Sequence, residues 1–301
     1  MRDRIPAPVL FVLGGTSMYA GAALAVGLFD LLSPAAVAVL RIVGAALVLL
    51  VWRRPGADAW RIGRLAAAVA FGLATAGMNI AFYEAIARLP LGTAVALEFC
   101  GPVAVAALAS RRARDVAAVA LAAVGVALIA DVRWSGSPSG VLWALTAAAL
   151  WAAYIVLGKR IASGGNGVDD MTVGFTLAAV ALLPLLMVDE RALPALAEPR
   201  VLLIGFGVGV LSSALPYVLD QVVLRRLGQA RFAVLLALLP ATATVVGLVG
   251  LGQVPGVLES LGIVAVVIAV GLRSRDGDTP IAAQQVPAGR YGPREKAPGA
   301  G

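Results

Sequence analysis

The sequence predicts an all-α polytopic membrane protein of ten transmembrane helices, arranged as two inverted five-helix repeats. Three observations carry this expectation. The chain of 301 residues is 60% apolar and 14% charged, with a mean hydropathy of +0.93, a balance that an ordinary soluble domain does not show. Its charges are grouped between long apolar stretches, and its Lys and Arg residues fall on alternate connections, the pattern that sets membrane orientation.

A membrane-crossing helix needs roughly 20 mostly apolar residues. No charge occurs in 5–29, 65–83, 134–158, 171–188, 201–219 or 232–258. The first span is placed at 7–28: Arg2 and Arg4 precede it as in a signal peptide, but Pro6, Pro8 and its length favour a retained helix. The second, 33–52, is interrupted by Arg41. The third is 63–86, and the fourth, 91–110, contains Glu98. The fifth (114–131) and tenth (257–273) have short charge-free runs and reach full length only by including flanking polar residues. The sixth to ninth are 138–158, 170–188, 201–222 and 231–250. The tail, 274–301, turns to Gly, Pro, Asp, Gln and Arg and is read as a disordered cytoplasmic arm.

With ten spans, both termini share one side. Placing the N-terminus in the cytoplasm puts nineteen of the 24 Lys and Arg residues there and leaves Arg88, Arg133, Arg191 and Arg200 outside, with Arg41 in the membrane. The formal charge of +7 is thereby a matter of orientation, and nucleic acid is not expected as a partner. With no histidine and a single cysteine, Cys100, the chain can form no internal disulfide, zinc site of His and Cys, or Ser-His-Asp triad. No metal or cofactor is called for, and proton handling falls to carboxylates.

An offset of 138 residues sets Arg88-Leu89 on Arg226-Leu227, Leu97 on Leu235 and Pro102 on Pro240. The third span runs outward and the eighth inward, so the halves, 1–133 and 137–273, have opposite orientation. Secondary transporters place a central site between such repeats.

Ionisable groups in hydrocarbon cost about 2.5–3.5 kcal/mol and normally face a cavity or a partner. Arg41 and Glu98 lie at similar depth, counted from the outer ends of their helices. Two readings stand side by side: they meet the carboxylate and ammonium of a zwitterionic solute, with Glu98 able to take a proton, or they form a fixed ion pair between the second and fourth spans. Pro102, Pro216 and Pro240 withhold the helical N–H from the carbonyls of Glu98, Ser212 and Leu236. Each marks a kink, whether for packing or to present backbone to a solute. Thr75, Asn79 and Tyr83 share one face of the third span, and Ser213, Tyr217 and Asp220 one face of the eighth. Asp220, near the inner surface, is either a gate contact or solvated. Tyr19 sits inside the first span, whereas Tyr154 reads better as an interfacial anchor. Glu84 and Arg88 form an interfacial pair at i, i+4, Gly205 and Gly209 suit close packing, and Cys100 reads as a small packing residue.

The stretch from Gly77 to Arg112, with PLGTAVALEFCGPVAVA at Pro90 to Ala106 preceded by GMN and FY and followed by SRR, resembles the threonine and homoserine exporters of the EamA branch of the drug/metabolite transporter superfamily. LSSALPY at Leu211 to Tyr217, VLR ending at Arg41 and LWAAYIVLGKR from Leu150 match more weakly, and the likeness spans about residues 9–272. It implies two inverted EamA-like halves in the cytoplasmic membrane of a bacterium, exporting small amino acids or related metabolites by alternating access with inward proton movement. The partners implied are a small zwitterionic or polar solute, protons and the bilayer, for a monomer or homodimer. Arg41, Asn79, Tyr83, Glu98 and Pro102 stand where that family has its polar and kinking residues. The second half departs in detail, opening its ninth span on Gln229 and Arg231 where the first half has Leu91 and Thr93. A facilitator, or a drug or metabolite carrier of the same fold, is the alternative reading. A membrane enzyme is disfavoured because no nucleophile motif is present.

Overall fold

In an apolar solvent every backbone N–H and C=O must find a partner within the chain, so a lipid-embedded chain of this composition has helices as its recourse. The computed structural model bears this out. It describes residues 5–108, 113–134, 137–162, 167–216 and 238–274, together with 219, 222, 223, 235 and 236, and among these it holds helices and no strand.

The first three helices are α1 (Ala7–Val26), α2 (Pro34–Arg53) and α3 (Ile62–Ile86), with a 3-10 turn at Ala57–Trp60 between the last two. The predicted fourth span is two helices, α4 (Leu91–Glu98) and α5 (Cys100–Leu108), separated at Phe99. Then follow α6 (Ala113–Trp134), α7 (Pro138–Ala162), α8 (Gly167–Val188), a short α9 (Ala192–Leu196) and α10 (Pro199–Gly209), which passes into a π-helical turn at Val210–Ala214. The last described elements are α11 (Leu238–Leu251) and α12 (Val257–Ser274). Among the described residues, five helices are long and apolar enough to cross a membrane, and five shorter apolar ones accompany them. The protein is a multi-pass membrane protein. The two spans with the shortest charge-free runs are helical as α6 and α12, while α9 and the 3-10 turn carry no apolar periodicity that would have announced them.

The packing joins the two ends of the sequence: α3 lies along α7 and α8, α6 along α12, α2 along α8, and α1 along α11. Phe11, Leu28, Tyr83, Leu97 and Phe99 are fully buried between them, whereas Val51, Leu203 and Val249 point outward, as they should with lipid around them. Small residues set the spacing. A Cβ on Gly72 would strike the Gly174 carbonyl of α8, and one on Gly101 the Ala148 carbonyl of α7. The expected close packing at Gly205 and Gly209 is present, with Gly209 against Gly44 and Gly205 against Leu40.

Helices α2 and α8 are antiparallel and tied at both ends. Ser33 caps α2, its Oγ accepting from Ala36 N at 3.2 Å, and its own N–H donates to Asp189 Oδ2 at 3.0 Å. At the other end Arg53 pairs with Asp169 at 3.0 Å, and Arg64 of α3 pairs with Asp170 at 2.6 Å. Burial disfavours the Asp189 charge, but the hydrogen bonds from Ser33 and from Arg191 N, with the Arg191 charge, together outweigh it and hold the carboxyl below its ordinary value. That contribution is complete above the ordinary carboxylate range and is lost as pH falls through the lowered value.

The glycine contacts make a direct prediction. Gly72→Val should cost about 1–3 kcal/mol of stability through overpacking, whereas Gly207→Val, with no atom within 4 Å of the added Cβ, should leave the melting temperature of the purified protein unchanged.

Candidate functional site

A polar centre inside an apolar bundle has to be assembled from groups that the helices cannot satisfy themselves. The first such group is the Ser212 carbonyl. Pro216 stands four residues on and has no N–H, and the chain between them runs through the π-helical turn Val210–Ala214. The released carbonyl accepts a hydrogen bond from Arg41 Nη2 at 3.1 Å, and Ser213 Oγ accepts from Arg41 Nε at 3.2 Å. Ser212 Oγ donates to Met18 O at 3.1 Å and Ser17 Oγ to Leu211 O at 2.9 Å, so α1, α2 and the π turn meet at one knot. Gly21 allows the approach, since a Cβ there would collide with Ser212. Beneath the guanidinium lies the ring of Tyr83, its centroid 5.6 Å from Arg41 Cζ, a cation–π contact worth ~2 kcal/mol when desolvated.

The second group is the end of α4. Pro102 cannot donate to the Glu98 carbonyl, and the helix breaks one residue later, at Phe99. Glu98 is 8% exposed. No Arg41 nitrogen lies within 4.0 Å of its carboxylate, so the fixed ion pair between the second and fourth spans is not formed. Both residues instead line one cavity of about 290 Å³, close to the lower end of the usual range for small-molecule pockets.

Of the other expected site residues, Tyr19, Asn79 and Ser213 line this cavity, as does Pro216. Tyr83 supports Arg41 from behind and is fully buried. Pro240 lies in α11, and Leu236, whose carbonyl it leaves without a helical N–H, is helical as well; Ala237 between them lies outside the described residues, so the expected kink is not placed there. Tyr217 and Asp220 also lie outside the described residues. Asn79 Nδ2 donates to Thr75 O at 2.7 Å and Thr75 Oγ1 to Phe71 O at 2.8 Å, so the shared face read from the sequence is held by its own helix.

Tyr154 requires a correction, because it lines the cavity and stacks on Phe71 at 4.7 Å rather than serving only as an interfacial anchor. Its spacing of three from Trp151, another lining residue, was the available signal. Sequence reading also missed Glu259, which is 1% exposed, accepts from Thr93 Oγ1 of α4, and receives Gly256 N at 3.3 Å. That is the reciprocal half of a capping box at the start of α12. The Glu84–Arg88 pair is present at 2.5 Å. A second recess of about 850 Å³, lined among others by Phe29, Asp30, Arg88, Arg200 and Gln253, opens at the end where α1 finishes and α10 begins. Phe29 meets Tyr83 edge-on at 6.1 Å, so these two rings stand between the recess and Arg41.

The pattern of the EamA-like transporter family matches residues 138–275. A Salmonella typhimurium (strain LT2) protein named threonine/homoserine exporter RhtA is 37% identical over 271 residues, covering 87% of this chain and 89% of its own. The chain belongs to the EamA-like transporter family. The protein of the same name from Escherichia coli (strain K12) is 35% identical to this family member over 269 residues, covering 87% of this chain and 88% of its own. A solved crystal structure aligns with 90% of this chain and 98% of its own at a TM-score of 0.55 and 18% identity, a likeness of fold alone. These relatives are named as exporters and not as enzymes, in keeping with the expectation that this family member is a transporter.

The freed carbonyl yields a test. Pro216→Ala restores an N–H that competes with Arg41 for the Ser212 carbonyl, and the loss of one hydrogen bond of about 0.5–1.5 kcal/mol should raise the KM for transported solute roughly two- to tenfold, measured in proteoliposomes.

Proposed function

We propose that this family member is a secondary transporter that exports small amino acids of the threonine and homoserine kind from the cytoplasm across a bacterial inner membrane. The observation that carries the reading is Arg41, a guanidinium held at the centre of the bundle by Ser212 and Ser213 and facing the cavity. Its Nε and Nη2 bond Ser213 and Ser212 and the guanidinium lines the cavity, where the planar fork would receive a carboxylate. The names of the relatives supply the solute class. Ten spans, two inverted five-helix halves and cytoplasmic termini complete the proposal, resting on the distribution of Lys and Arg and on the 138-residue offset. Alternating access would then carry the solute between the central cavity and the recess beyond Tyr83 and Phe29.

Protons are the proposed coupling ion, with Glu98 as the carrier. It is a buried carboxylate on the cavity wall, without a hydrogen-bonding or ion-pair partner among the described residues, and the chain has no histidine to take this part. Uptake into everted vesicles driven by a pH gradient should be abolished in Glu98→Gln with folding intact; unchanged accumulation removes the coupling role and leaves a facilitator.

The solute class is tested by counterflow of amino acids, amines and drug-like cations in proteoliposomes. Arg41→Lys, which loses the planar fork, should raise the KM for amino acids roughly tenfold, equivalent to about 1.4 kcal/mol. Transport of cations alone, or an unchanged KM in that variant, overturns the carboxylate-binding role.

A further inference from the structure

The cavity wall opposite in character to Arg41 carries acceptors without donors. Asn79 is 4% exposed and lines the cavity. Its amide nitrogen must be the atom facing the Thr75 carbonyl, 2.7 Å away, because two carbonyl oxygens cannot bond each other. That fixes the amide orientation, and it leaves Asn79 Oδ1 as a buried acceptor with no protein partner. An unsatisfied buried acceptor costs about 1–3 kcal/mol, a cost removed when something in the cavity donates to it. Glu98 adds a carboxylate to the same cavity, without a donor among the described residues.

The geometry points to Asn79 Oδ1 and the Glu98 carboxylate as the seat of a protonated amine, so that the solute must bring an ammonium group together with the carboxylate that Arg41 receives. This inference rests on the amino-acid export reading and sharpens it, since it demands a free primary amine and excludes hydroxy acids of the same size. An ammonium has three donors and no acceptor, which matches a pair of acceptors as a hydroxyl or an apolar group does not. The helix supports the assignment: the Thr75 carbonyl engages an Asn79 amide proton and so fixes which side of the amide presents the unpartnered oxygen.

The test uses the purified full-length protein and two probes, L-homoserine and 2,4-dihydroxybutanoate, in which a hydroxyl replaces the amine. Binding is followed by tryptophan fluorescence, Trp151 being in the cavity wall. The wild type should bind homoserine roughly tenfold or more tightly than the hydroxy acid. In Asn79→Leu the homoserine Kd should rise roughly tenfold while the hydroxy-acid Kd changes less than twofold, and Asn79→Asp, which keeps an acceptor, should retain the preference. Glu98→Gln should narrow the preference as well, which keeps the question open to measurement if Asn79→Leu does not fold. Wild-type binding of homoserine with a preference that neither variant alters, or an equal loss for both probes, overturns the amine seat and leaves the export reading standing. Binding of neither probe by the wild type overturns both.

Discussion

A single absent hydrogen-bond donor organises the middle of this protein. Pro216 deprives the Ser212 carbonyl of its helical partner, and in an apolar surrounding that carbonyl must be met from elsewhere. Arg41 meets it, and the arginine, itself costly within hydrocarbon, is stabilised by the same contact, by Ser213 and by the Tyr83 ring. Each group is the remedy for the other. Because Ser212 also reaches the backbone of α1 at Met18, three helices are drawn together at the point where the cavity begins. The charge is therefore built into the packing, and a cavity forms around it.

The polar groups of that cavity are divided by kind. Donors come from α2, through Arg41, and acceptors from α3 and α4, through Asn79 and Glu98. The rings of Trp151, Tyr154 and Phe175 stand in the same wall. Each half of the chain contributes to it: α2, α3 and α4 bring the charged and amide groups, while α7, α8 and the π turn bring aromatic rings and the serines that position Arg41. A centre of this kind depends on both halves being present in their packed arrangement.

Much of this was legible from residue types alone. Arg41 and Glu98 stood out because lipid penalises charge, and Pro102 and Pro216 located the helix break and the freed carbonyl because proline lacks an N–H. What escaped the sequence depends on distance. Whether Arg41 and Glu98 form an ion pair or share a cavity turns on separations that depth counting does not supply. Tyr154 was misjudged because position along a helix does not tell which neighbour its ring will face. Glu259 sits between two charge-free runs with nothing in its neighbours along the chain to mark it, although Thr93, 166 positions away, bonds it. The π-helical turn has no residue signature beyond the proline that follows it.

The links at the ends of α2 and α8 carry a mechanical consequence. Ser33 and Arg53 are twenty residues apart, as are Asp169 and Asp189, so the two rods have matched spans of roughly 30 Å. Axial sliding by one helical turn, about 5.4 Å, would pull both tethers out of register together, and neither could re-form with its old partner. The paired tethers therefore oppose ratcheting of α2 along α8 and leave bowing or pivoting as the movements that keep both.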